Sequence, residues 1–90
     1  MSAVKPILGI VGGGQLGSML ASAAKKINIK TVIISDDETA PAKNFCDKFI
    51  YAKYNDENKI DEFIQASNIV TFEFENIPYE TLKKISQKRP

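Results

Sequence analysis

Ninety residues make one small domain, and a chain of this length buries only about two-thirds of its unfolded surface, so it reads as one part of something larger. A formal net charge of +1 gives no electrostatic case for nucleic acid or acidic partners, and the apolar and charged shares, 43% and 26%, are ordinary for a soluble globular protein. One cysteine, Cys46, excludes an internal disulfide, and the absence of histidine excludes the usual zinc sets and every His-based general base or triad.

Catalysis, if any, must run on carboxylates, lysines or backbone, and no metal-ligand set is expected. No apolar run reaches membrane-spanning length, and the stretch from Met1 to Pro6 lacks the apolar core of a signal peptide. A cytoplasmic protein is the expectation.

Ile7, Leu8, Gly9, Ile10 and Val11 form a near-continuous apolar run, the pattern of a central strand buried on both faces of a parallel sheet. Gly12-Gly13-Gly14-Gln15-Leu16-Gly17 follows and reads as a strand-to-helix turn built to receive an anion. Glycine there permits positive φ and close approach of a ligand to the main chain, while the next helix offers unpaired N–H groups and a positive dipole end. Gly12, Gly14 and Gly17 also satisfy G-x-G-x-x-G, so a dinucleotide site stands beside another phosphate site or a purely structural turn.

Leu16, Met19, Leu20, Ala23, Ala24 and Ile27 then recur at helical spacing, with Lys25 and Lys26 where cations suit the dipole, and predict a first helix ending near Asn28. Thr31 to Ile34, mostly β-branched, close a βαβ unit as a second strand. Ser35, Asp36 and Asp37 lie at its end. Asp36 or Asp37 has the position of a dinucleotide ribose ligand, while the plainer reading makes both loop residues that cap the next helix.

Ala40 to Cys46 predicts a short helix with Thr39 or Asp37 as cap and Pro41 in its first turn, Phe45 packing in the core and Cys46 serving as a small buried hydrophobe. Lys48 to Ala52 is a third strand toward a sheet edge. Asn55 or Asp56 caps a second helix whose apolar stripe is Ile60, Phe63 and Ile64 and whose charged face, Glu57, Lys59, Asp61, Glu62 and Gln65, reads as solvated surface.

Ile69 to Phe72 begin a fourth strand that runs into Glu73-Phe74-Glu75-Asn76. A last helix is expected from about Pro78 through Leu82 and Ile85 to Gln87. Lys83, Lys84, Lys88 and Arg89 cluster late in it, as the helix dipole favours, and the stop at Pro90 reads as a truncation.

Four βα units in alternation predict a Rossmann-like α/β open parallel sheet of order 3-2-1-4 with helices on both faces. The glycine turn and the Glu73 stretch then meet where the strand order reverses. Period-two alternation puts Thr71, Glu73 and Glu75 on one face, beside the phosphate-binding turn. Two carboxylates there repel a dinucleotide pyrophosphate, whereas they accept hydrogen bonds from the neutral hydroxyls of a sugar phosphate. Against this stands the plain reading of both as solvated strand-end charge.

The glycine turn, Ala40-Pro41-Ala42 after the second strand, and Phe72-Glu73-Phe74-Glu75-Asn76 in the fourth together resemble the N-terminal, pre-ATP-grasp domain of the 5-(carboxyamino)imidazole ribonucleotide synthase family, of the ATP-grasp superfamily. The resemblance covers essentially the whole chain. It implies a ligase of purine biosynthesis that spends ATP to activate bicarbonate as carboxyphosphate and carboxylates the amine of aminoimidazole ribonucleotide. It implies ribonucleotide binding by Gly13, Gly14, Gln15, Leu16 and Glu73, with Glu75 and Asn76 as further candidates, and no catalytic residue within these ninety.

The resemblance also implies that ATP and Mg2+ sites lie in ATP-grasp domains beyond this one, and that the parent is a homodimer. Two positions depart from the family pattern. Ser18 stands where a basic residue usually follows the turn, and Ser35 where an Asp often ends the second strand. A dinucleotide (NAD/NADP) module remains the alternative.

Overall fold

The computed structural model describes residues 6–72 and 79–88. Its elements in chain order are β1 (Ile7–Val11), α1 (Gln15–Lys26), β2 (Lys30–Ser35), a single 3-10 turn (Pro41–Asn44), β3 (Lys48–Tyr51), α2 (Glu57–Ala66), β4 (Ile69–Phe72) and α3 (Tyr79–Lys88). The strands form one sheet in the order β3-β2-β1-β4, every pair parallel, as the alternation of elements predicts.

Period-two alternation divides the sheet between two cores. On one face Val11, Val32, Ile34 and Ile50 pack with Ile60, Phe63 and Ile64 of α2 and Ile85 of α3. Ile10 and Ile33 point to the other face, where they meet Ala21 of α1 and Ala42 of the 3-10 turn. The second core is smaller, and the buried residues that α1 and the 3-10 turn give it are alanines, with Leu20 partly buried against them.

The expectation for α1 holds at Ala24, which is buried, and is corrected elsewhere. The other buried residues are Gly17 and Ala21, whereas Leu16 is 45% and Met19 61% exposed and Ala23 and Ile27 lie on the outside. The helix turns its smallest side chains inward because the 3-10 turn fills the space beside it. The larger apolar residues of the predicted stripe are thereby left on the solvent side, Leu20 excepted, which is partly buried.

The expected helix from Ala40 to Cys46 shrinks to one 3-10 turn, N-capped by Ala40 without any side-chain bond. Asp37 instead closes the preceding loop, its Oδ1 accepting from the Thr39 backbone N–H at 2.9 Å and hydroxyl at 2.8 Å. Phe45 is 45% exposed and not a core residue, since so short a turn ends before it can swing that ring inward.

The opposite face follows the sequence more closely. Asp56 caps α2 by accepting from the Lys59 N–H at 3.2 Å, and Ile60, Phe63 and Ile64 are buried as expected. The charged face of α2 is tied rather than merely solvated, with Glu62 to Lys48 of β3 at 3.2 Å and Asp61 to Lys84 of α3 at 3.2 Å. Lys84 therefore serves a neighbouring helix and not only its own dipole.

Candidate functional site

In this strand order β1 and β4 are neighbours whose following helices lie on opposite faces of the sheet, and the crevice at their carboxyl ends is where open α/β sheets bind ligands. Val11, the last residue of β1, stands opposite Phe72 of β4. One step past Val11 begins the glycine turn.

The turn is built residue by residue. Gly12 donates its N–H to the Ile34 carbonyl at 2.8 Å, extending the ladder by one rung, and its φ of 106° lies in the left-handed region that glycine alone enters without strain. Gly13 is glycine for lack of room. A Cβ there would stand 2.7 Å from the Ala40 Cβ and 3.1 Å from the Ser35 Cβ, and the Gly13 carbonyl accepts the Ala42 N–H at 3.0 Å. Gly14 is the N-cap of α1, in extended conformation and without a side-chain cap.

The first turn of α1, Gln15, Leu16 and Gly17, carries no acidic residue, while Lys25 and Lys26 balance the dipole at the far end. The positive end is thus left without a carboxylate from its own helix, as suits an anion from outside. Gln15 and Leu16 are exposed at the mouth of the turn, and Gly17 is buried beneath it. Ser18 turns its hydroxyl back onto the Gly14 carbonyl at 3.0 Å and so braces the turn instead of reaching outward.

Of the predicted site residues, Gly13, Gly14, Gln15 and Leu16 come together at this turn. Glu73, Glu75 and Asn76 lie outside the described residues. Asp36 is exposed in the loop after β2, and Asp37 is engaged by Thr39. Cys46 is only partly buried, packed at the margin of the smaller core and not within it as expected, and desolvation raises its thiol pKa.

Sequence reasoning missed the part played by Ser35 and the 3-10 turn. Ser35 accepts the Asp37 N–H on Oγ at 3.1 Å and lies against the Gly13 position. The signal available was the small-residue run Ala40-Pro41-Ala42, whose alanines are both buried. Among the described residues no group of three or more His, Cys, Asp or Glu is placed to hold a metal ion, and no helix is long and apolar enough to cross a membrane.

Comparison with known proteins gives one consistent answer. Residues 5–90 match the family model of the ribonucleotide synthetase preATP-grasp domain. The N5-carboxyaminoimidazole ribonucleotide synthase of Staphylococcus epidermidis is 42% identical over 80 residues, which is 89% of this chain and 21% of that protein.

The crystal structure of N5-carboxyaminoimidazole synthetase from Staphylococcus aureus complexed with ADP superposes with a TM-score of 0.87 at 37% identity, over 99% of this chain and 24% of that one. The phosphoribosylaminoimidazole carboxylase ATPase subunit of Aquifex aeolicus does so with a TM-score of 0.78 at 36% identity, over 92% of this chain and 25% of that one. The chain therefore spans about a quarter of the length of these relatives or slightly less, and it belongs to the preATP-grasp domain family of the ribonucleotide synthetases, in the form found in N5-carboxyaminoimidazole ribonucleotide synthase.

Proposed function

We propose that this chain is the ribonucleotide-binding domain of an ATP-dependent ligase that carboxylates aminoimidazole ribonucleotide with bicarbonate in purine biosynthesis. The observation that carries the proposal is the glycine turn at the end of β1, shaped for an anion and lying in a domain that matches the ribonucleotide synthetases over residues 5–90. An N5-carboxyaminoimidazole synthase of Aspergillus clavatus that shares the fold, with a TM-score of 0.78 at 24% identity, was crystallised with ADP and 5-aminoimidazole ribonucleotide.

In this reading the backbone N–H groups of the first turn of α1 receive the 5′-phosphate, with Gln15 and Leu16 at its edge. The Glu73 carboxylate, one peptide bond beyond Phe72, accepts hydrogen bonds from the ribose hydroxyls. Glu75 and Asn76 are further candidates. The chemistry of carboxylation falls to ATP-grasp domains elsewhere in a longer chain, which hold ATP and Mg2+ and activate the bicarbonate. The domain's own work is to fix the ribonucleotide so that its exocyclic amine meets the carboxyl donor.

The dinucleotide reading has weaker support, since Asp37, one of the two ribose candidates it needs, is committed to Thr39. Titrating the 90-residue chain with ribose 5-phosphate and with NADH separates the two. The sugar phosphate is expected to bind weakly and NADH no better than an unrelated nucleotide. Micromolar NADH affinity without any response to ribose 5-phosphate would restore the dinucleotide module.

A further inference from the structure

The outer side of α1 is apolar as well as the inner one. Gly17, Ala21 and Ala24 are buried against the sheet, yet Leu16, Met19 and the C-cap residue Ile27 are each at least 45% exposed. At about 100° per residue, Met19, Ser22, Ala23 and Lys26 fall on the side of the helix turned away from that buried line, with Leu16 and Ile27 on its flank. Phe45, just past the 3-10 turn, is exposed too, and it closes an open cleft of about 390 Å³ lined by Ser18, Met19, Ser22, Ala23, Lys26 and Phe45. A single exposed apolar side chain needs no explanation, but four gathered on one helix and the turn beside it mark a surface that another protein surface covers.

The charges on α1 select how a second copy lies on it. The helix carries no carboxylate, and its two charged residues, Lys25 and Lys26, are both in the last turn. Two copies laid parallel would bring four ammonium groups together. Laid antiparallel, they put one pair of lysines at each end, about 18 Å apart along a helix of 12 residues and beyond the ~8 Å over which salt screens such charges. The antiparallel arrangement also matches side chains in size. With the two-fold axis level with Ala21, Met19 of one copy stands opposite the small Ala23 of the other, and the aliphatic stem of Lys26 covers Leu16 while its ammonium reaches water.

We propose that the outer face of α1, together with Phe45, is a homodimer interface, on which a second copy of this chain packs antiparallel about a two-fold axis. Each Met19 enters the partner's cleft between Ala23 and Phe45, so the contact is isologous and closes on itself. Leu16, Met19, Ile27 and Phe45 expose roughly 400 Å² of side chain, given about 150–250 Å² for a large side chain. A pair of such faces, with Ser22 and the Lys26 stem at the rim, therefore buries about the 1,000 Å² that a specific interface must clear. A dimer of that size is reversible, with a dissociation constant on the order of tens of micromolar. The proposal stands whether or not the ribonucleotide reading holds, because it draws on no ligand.

The test is sedimentation equilibrium of the 90-residue chain from about 10 μM to about 1 mM, with thermal melting as the measure of folding. The parent is expected to pass from monomer to dimer across this range. Met19→Glu, at an exposed position, should keep its melting temperature in dilute solution and weaken association more than tenfold. Phe72→Glu changes an equally exposed apolar residue on β4 and should leave association as it is. For the orientation, Met19→Cys/Ala23→Cys in a Cys46→Ser background is expected to give a disulfide-linked dimer on oxidation, whereas Met19→Cys alone is not.

A chain that stays monomeric throughout the range overturns the proposal and leaves the face to another segment of a longer chain or to another protein. A dimer that survives Met19→Glu, or one lost in Phe72→Glu, puts the interface elsewhere and overturns it equally. Cross-linking by Met19→Cys alone overturns the antiparallel arrangement. Should Met19→Glu not fold, Ala23→Glu, likewise exposed, takes its place with the same two outcomes.

Discussion

Val11 and Phe72 stand opposite one another in the parallel ladder between β1 and β4. The helix that follows β1 lies on one face of the sheet and the helix that follows β4 on the other. This pairing brings Phe72 level with the start of the glycine turn, although 60 residues separate Gly12 from Phe72 in the sequence. The candidate site owes its existence to that one register.

Glu73 is expected to matter more than Glu75, because it follows directly on the paired residue Phe72. If the chain belongs to the ligase proposed above, Glu73→Ala in that full-length protein should raise the Michaelis constant for aminoimidazole ribonucleotide by about ten- to a hundredfold, the equivalent of about 1.5–3 kcal/mol for a charge-assisted bond. Glu75→Ala should cost much less. Steady-state kinetics at saturating ATP decide the matter, and a loss confined to Glu75→Ala would reverse the assignment.

The isolated 90-residue chain is expected to hydrolyse no ATP above background. Phosphate release from purified protein, followed through a further purification step, measures this. Activity that stays with the chain would move the ATP site into this domain.

Gly9→Ala should destabilise the fold, since the added Cβ would stand 2.7 Å from the Ser67 Cβ and 2.9 Å from the tip of the Phe63 ring. Ser67 is fixed in turn by its hydroxyl bond to the Phe63 carbonyl at 2.9 Å, so the end of α2 has little freedom to withdraw. Overpacking of this kind costs about 1–3 kcal/mol, to be read from urea denaturation. A variant as stable as the parent would show that α2 can slide.

Thr81→Val should loosen α3. The buried Thr81 hydroxyl donates to the Tyr54 carbonyl at 2.6 Å and ties that helix to the loop before α2. Its loss is expected to cost about 1–3 kcal/mol, with faster hydrogen exchange concentrated in α3. Uniform exchange rates across the fold would contradict this.

Glu62 supplies a pH dependence of known sign. Its hydrogen bond to Lys48 and the nearby Lys59 charge hold the carboxyl pKa below its usual range. A depressed folded pKa contributes stability above the unfolded value, and that contribution is lost as the pH falls through the folded value. Glu62→Gln should therefore be less stable than the parent at pH 7 and converge on it as the pH falls through the folded pKa of Glu62, with the gap narrowing in high salt because the pair is exposed. A gap that widens toward acid would show that another carboxylate controls the transition.

How much of this was legible beforehand follows from the kind of signal each element carries. The near-continuous apolar runs of β1 and β2 announced buried parallel strands, and strict alternation with helices then leaves few topologies, so the order β3-β2-β1-β4 could be read from the chain alone. Gly12 to Gly17 likewise announced the turn, because a residue with a φ of 106° must be one that tolerates it. Asp56 was recognisable as a cap from its place before the stripe of Ile60, Phe63 and Ile64.

What only the tertiary structure decided concerns which neighbour fills a given space. Leu16, Met19 and Ile27 have helical spacing, but spacing says where residues share a face and not which face is covered. Gly17 and Ala21 turned inward beside the expected Ala24 because the 3-10 turn packs against α1, and Phe45 stayed outside because that turn is too short to bury it. The bond from Ala42 to Gly13 was invisible for the same reason. A hydrogen bond between two loops depends on the distance left between them once sheet and helices have packed, and no local pattern in either loop encodes that distance.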